Sequence, residues 1–189
     1  MISLLRAEGS FRQRVFALLG EARWCILAAL ILFLLGVVFG PLYPAPGLHL
    51  AEALFEMAQA LHDKSLLQIA VAIFVRNLSA VTFALLLGVG LGLLPVAAAL
   101  LNGWLAGVVI AEQPGALWMI LPHGVFELPA VFIAWGLGIW CGLWVTAPAP
   151  FVALKTRLKK SLWLLLRLIV PLLAIAAFIE ASLIAWLTS

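Results

Sequence analysis

Between Leu66 and Glu112 the only charged side chain is Arg76, in a stretch dominated by Leu, Ala, Val, Ile and Gly. A soluble domain cannot hide such a run, because a helix at a water-facing surface needs a polar face along its length. A helix crossing a bilayer needs about 20 predominantly apolar residues, so this block alone holds two. The rest of the chain agrees: of 189 residues, 66% are hydrophobic and 10% charged, with mean hydropathy +1.23. Soluble domains are about 45–50% apolar and about 25% charged. The apolar runs are continuous, whereas a transmembrane barrel alternates over segments of roughly ten residues. Helices also satisfy their own backbone groups in lipid. The expected fold is all-α, a polytopic transmembrane helix bundle of about five spans with amphipathic interfacial helices.

Residues 1–23 carry Arg6, Arg12, Arg14 and Arg23 among Leu4, Leu5, Phe11, Val15, Phe16 and Leu19. The pattern fits a basic amphipathic helix on an anionic leaflet, or equally a flank that orients the first span. A single transmembrane domain covers 24–189. Its first span is expected at 24–40, ended by the Pro- and Gly-rich Gly40–Gly47, and is read as a retained anchor because no small-x-small cleavage site follows. An acidic outer interfacial helix is expected at 48–64, with Glu52, Glu56 and Asp63 opposite Leu50, Leu54, Phe55 and Leu61.

The 66–112 block admits two partitions. In one, a span covers 77–100, Asn102-Gly103 turns the chain and the next span covers 104–121. In the other, the helix covers about 66–92 and Pro95 opens the next. The first is preferred because it keeps Arg76 at a membrane boundary, a charge at the midplane being expensive. A fourth span is expected at 122–145, with Pro122 in its first turn, and a fifth at 162–187 after a basic connector of Lys155, Arg157, Lys159 and Lys160. Basic segments stay cytoplasmic. Four crossings between the N-terminal arginines and this connector place the N-terminus in the cytoplasm of a cell-membrane protein and the C-terminus outside.

This topology puts Arg76, Asn77, Glu112, His123, Glu127 and Glu180 at similar depth in the outer leaflet. His123 and Glu127, four apart, share a helix face. Arg76 is the expected counter-ion of Glu127 or Glu180. The group either lines a cavity that binds an ion, carries a proton or holds a lipid headgroup, or it locks helices together with no ligand. A catalytic metal is disfavoured, because one His and one Glu give two ligands where zinc takes three protein donors. No Gly-x-Ser-x-Gly turn supports a serine nucleophile at Ser79 or Ser161. No catalytic residue, metal or cofactor is expected.

Arg167 is expected to snorkel toward the cytoplasmic phosphates, and the tryptophans, Trp104, Trp135, Trp140 and Trp144 among them, to anchor span ends. Cys25 and Cys141 are too few for a disulfide framework or a four-ligand zinc site and are read as packing thiols. Gly36/Gly40, Gly88/Gly92, Gly103/Gly107 and Gly138/Gly142 are small-xxx-small steps, which close-pack two helices of one chain or two chains of a homo-oligomer. Besides membrane lipids, partner membrane proteins are expected, and the scattered net charge of +3 argues against nucleic acid.

Asn77, the glycine-rich Gly88–Gly92, Asn102-Gly103-x-x-x-Gly107 and above all Leu121-Pro122-His123-Gly124-Val125-Phe126-Glu127-Leu128-Pro129-Ala130 with Gly136-x-Gly138 resemble the stage II sporulation protein M family. The likeness covers about residues 74–145. It implies a multi-helix membrane protein without known catalytic activity, whose sporulation members act as scaffolds for the peptidoglycan-degrading machinery of engulfment. The family pattern points to Asn77, Asn102, Gly103, Pro122, His123, Gly124 and Glu127. The engulfment role is not carried over, since no soluble domain accompanies these spans. The expected function is a non-enzymatic scaffold or assembly component. The competing expectation is a small transporter, channel or lipid-handling protein using the polar cluster around His123 and Glu127.

Overall fold

The computed structural model describes residues 10–49 and 64–188, and among them six helices of 15 residues or more and no strands. Helix α1 spans Phe11–Phe39 and opens on a capping box: the Ser10 hydroxyl accepts from the Gln13 backbone N–H, and the Gln13 side chain accepts from the Ser10 N–H. Nothing between these residues stops a helix, so the expected basic surface segment and the first span form one element. At 29 residues it is about 43 Å long, more than a hydrocarbon core of about 30 Å, so turns carrying Arg12 and Arg14 extend past the apolar layer. A 3-10 turn at Gly40–Leu42 ends it, and residues 44–49 are helical again with Pro44 and Pro46 in the first turn, where a missing N–H costs nothing. Most of the acidic segment expected at 48–64, including Glu52, Glu56 and Asp63, lies outside the described residues.

The second partition of the central block is the one observed, correcting the preferred reading. Helix α2 covers Leu66–Leu87 and opens on a second capping box, Ser65 with Gln68. The reversal is at Gly88–Gly92, where Leu91 (φ 59°) and Gly92 (φ 73°) are left-handed and the Gly92 N–H closes onto the Gly88 carbonyl at 2.7 Å. Helix α3 follows at Leu93–Glu112 with Pro95 in its first turn. Asn102-Gly103 does not turn the chain: Asn102 donates back to the Ala98 carbonyl at 2.8 Å and Gly103 continues the helix. Leu91 is exposed and gains no packing from its strained backbone. Leu91→Gly is therefore expected to raise stability by about 1 kcal/mol, read as a thermal-melt shift of about 2–4 °C.

A 3-10 turn at Pro114–Ala116 leads into α4, Leu117–Gly142, which holds Pro122 and Pro129 in its interior. Pro122 thus lies beyond the first turn where it was expected. After a 3-10 turn at Leu143–Thr146, the basic connector proves to be a helix, α5 (Pro150–Leu164). It passes through a π-helical turn at Leu165–Ile169 into α6, Val170–Thr188. Pro171 explains the π turn, since proline removes a donor and crowds the carbonyl four residues back. Arg167 sits exposed within that turn. Five helical stretches are long and apolar enough to cross a membrane: Phe11–Leu42, Leu66–Leu87, Leu93–Glu112, Leu121–Thr146 and Pro150–Trp186.

Helix α4 is the centre of the bundle. Its Ala130, Ala134, Leu137 and Trp140 meet Val15, Leu18, Ala22 and Cys25 of α1, Val81 and Leu85 of α2, and the run Leu164–Leu173. A smaller cluster joins Ile69, Ala70 and Ile73 of α2 to Ala177 and Ala181 of α6. Trp135 is buried against Phe33 and Phe132, not at an interface as expected. Cys25 and Cys141 are free and buried, the latter 3.4 Å from the buried Ser161 hydroxyl. Exposed Leu, Ile, Val and Phe side chains cover the outside, as lipid-facing helices require.

All four glycine steps close contacts within the chain. A β-carbon on Gly103 or Gly107 would overlap the backbone of Phe33 or Val37, and one on Gly36 or Gly40 would overlap the backbone of α3. A second seam sets Gly88 on the backbone of Gly138, and Gly142 on Leu91 and Gly92. Small residues let helix backbones approach closely, and at these positions even the β-carbon of alanine would overlap.

Candidate functional site

The second seam and the α2–α6 cluster bring α2, α4 and α6 together, and most of the polar residues expected in the outer leaflet meet there. Helix α4 supplies His123 and Glu127. Their separation of four residues sets the imidazole Nε2 4.0 Å from Glu127 Oε2, too far for a hydrogen bond. Helix α6 supplies Glu180, beside Ala181 and one turn after Ala177, the two alanines that seat α6 against α2. One donor atom from each of His123, Glu127 and Glu180 lies within 4.8 Å of the other two. The side chains are largely enclosed, at 14% exposure for His123 and 24% for Glu127. The other imidazole nitrogen, Nδ1, is cut off from solvent and has no hydrogen-bond partner among the described residues.

Helix α2 adds a cation. Arg76 follows Ile73 by one turn, is exposed, and forms no ion pair with Glu127 or Glu180 among the described residues. Arg76 lies in the middle of α2, about 15 Å from Leu66, and not at the boundary where it was expected. Asn77 is half-buried next to it. Glu112 is exposed at the end of α3 and is not one of the three clustered donors. Of the other family-pattern residues, Gly103 belongs to the first glycine seam, Asn102 bonds its own helix, and Pro122 and the buried Gly124 flank His123 on α4.

Sequence reasoning included Glu180 in the layer but counted only two metal donors there. The missing signal was the pairing of α4 with α6, which residue spacing within one helix does not reveal. It also missed the opposite end of the bundle. There Lys160 grips both oxygens of Glu21 at 2.6–2.7 Å, Arg157 donates to the Trp140 carbonyl at 2.9 Å, and Arg14 stacks 4.4 Å over the Trp163 ring. An open groove of about 560 Å³ runs past Glu21, Arg157 and Lys160. Trp144 donates there to the Val89 carbonyl at 3.0 Å, tying the end of α4 to the glycine turn. These contacts put the N-terminal helix and the basic helix α5 at one end of the bundle, and the His–Glu–Glu group lies toward the other.

Among known proteins, the family model described as Stage II sporulation protein M matches residues 29–183. Neither a curated protein nor a solved structure gives a match.

Proposed function

As the chain belongs to the stage II sporulation protein M family, and is a multi-pass membrane protein, we propose that it is a non-enzymatic scaffold that holds partner membrane proteins in a fixed arrangement. The observation that carries this reading is the pair of glycine seams. Helices α1 and α3 on one side, and α2, α4 and the Gly88–Gly92 turn on the other, touch through backbone atoms. Packed interfaces of this kind do not slide continuously, so the bundle is built to keep one shape. The apolar outer faces then serve as docking surface, in lipid or against other membrane helices. The N-terminal helix and α5, joined by the Glu21–Lys160 ion pair, form the basic cytoplasmic end.

The transport reading keeps one specific support, the partly enclosed charged group on α4 and α6, since intramembrane ionisable residues often mark ion paths. The two readings separate experimentally. Full-length tagged protein expressed at its native level and extracted from its own membranes is expected to carry a defined membrane-protein partner in fixed stoichiometry by quantitative mass spectrometry. The partner should be lost in a Gly103→Val variant and retained in Glu112→Gln. Extraction of the folded chain alone would count against the scaffold.

A further inference from the structure

We propose that His123, Glu127 and Glu180 form a binding site for one divalent transition-metal ion of zinc type, which staples α4 to α6. The inference goes beyond the scaffold reading and stands or falls separately from it. Three independent features support it. The first is the donor set: one imidazole and two carboxylates from two helices, with ligand atoms within 4.8 Å of one another. Zinc takes such nitrogen and oxygen donors at about 2.0–2.2 Å, which sets ligand atoms of a tetrahedral site about 3.3–3.6 Å apart. The three groups reach that spacing by side-chain adjustments of no more than about 1.5 Å. Mixed imidazole and carboxylate donors select zinc-like ions over magnesium and calcium, which take oxygen ligands.

The second feature is the histidine itself. Nδ1 is buried without a partner among the described residues, and Nε2 stands 4.0 Å from Glu127 Oε2, beyond hydrogen-bonding range. A buried unpaired polar nitrogen costs about 1–3 kcal/mol. A metal bond employs one ring nitrogen and fixes the tautomer of the other. The third feature is charge. Two carboxylates, Glu127 from α4 and Glu180 from α6, share the site, and Arg76 pairs with neither among the described residues. A divalent ion between the carboxylates removes their repulsion. With three protein donors, the fourth position is left for water or a polar group of a ligand.

The test uses the full chain in detergent, stripped with chelator and titrated with Zn²⁺ alone. The expected result is one zinc per chain after removal of free ion, a raised melting temperature, and with Co²⁺ the visible absorption of a four-coordinate ion. Glu180→Gln and His123→Asn, which keep side-chain volume, should each weaken zinc binding at least tenfold, while Glu112→Gln leaves it unchanged. Should either site variant fail to fold, the wild-type stoichiometry and cobalt spectrum still decide. Folded wild-type protein that takes up no stoichiometric zinc overturns the site, as does zinc binding unaltered in folded Glu180→Gln, or a site that prefers Mg²⁺ to Zn²⁺.

Discussion

Replacing Gly103 and Gly107 together by valine is expected to destabilise the bundle severely, the largest effect foreseen for two substitutions in this chain. Each added β-carbon lands on the backbone of α1, at Phe33 and at Val37, where no side chain can rotate away. The helices have to separate, and with them go the contacts of Ala29, Ala99 and Trp135 that the seam supports. Overpacking costs about 1–3 kcal/mol at one site, so two neighbouring sites remove about 4 kcal/mol or more. For a chain of this length that lowers the melting temperature by about 8–16 °C. Gly20→Ala, in the same helix α1 but with nothing near its added β-carbon, should instead stabilise by about 0.5–1 kcal/mol. Thermal melts of the detergent-solubilised proteins check both. Equal melting of the double valine variant and the wild type would mean that the seam is not closed as described.

Arg76→Glu is expected to have the next largest effect. Arg76 sits at mid-helix, exposed, on the helix that packs against α6 near Glu180. Reversing it adds a third carboxylate to the apolar layer that already holds Glu127 and Glu180, at a cost of about 3 kcal/mol. In chelator-treated protein, where only side-chain charges enter, the melting temperature should fall by about 6–12 °C. Adding Glu127→Gln should recover more than half of the loss, because it removes two of the three repelling pairs. Absence of any recovery would show that Arg76 acts through lipid headgroups instead of through Glu127.

The same residue shows why the chain was only partly legible in advance. Membrane class, helical architecture and the shared face of His123 and Glu127 follow from apolar run lengths and a spacing of four. The position of Arg76 does not, because a long side chain exposed on a span can lead its charge away from the apolar layer, and judging the charge by the depth of its backbone alone favoured the wrong partition of residues 66–112. Glycine is ambiguous for a similar reason. Gly88–Gly92 and Asn102-Gly103 look alike as breaks, yet one is a left-handed turn and the other is a seam, and the difference lies in what packs against them. Glu180 became a third donor only through the pairing of α6 with α4. Proline within a helix is likewise readable only with neighbours present: Pro122 and Pro129 are accommodated inside α4, the most buried of the spans.

The claim that most needs testing is that this bundle is a static frame. Purified full-length protein reconstituted into liposomes, with entrapped fluorescent reporters of protons and of Zn²⁺, measures it directly under an imposed gradient of either ion. A scaffold predicts flux no greater than in protein-free liposomes, with zinc bound to the protein but not carried across. Saturable flux that disappears in Glu127→Gln and Glu180→Gln would contradict the account and make the same three side chains the site of a transporter.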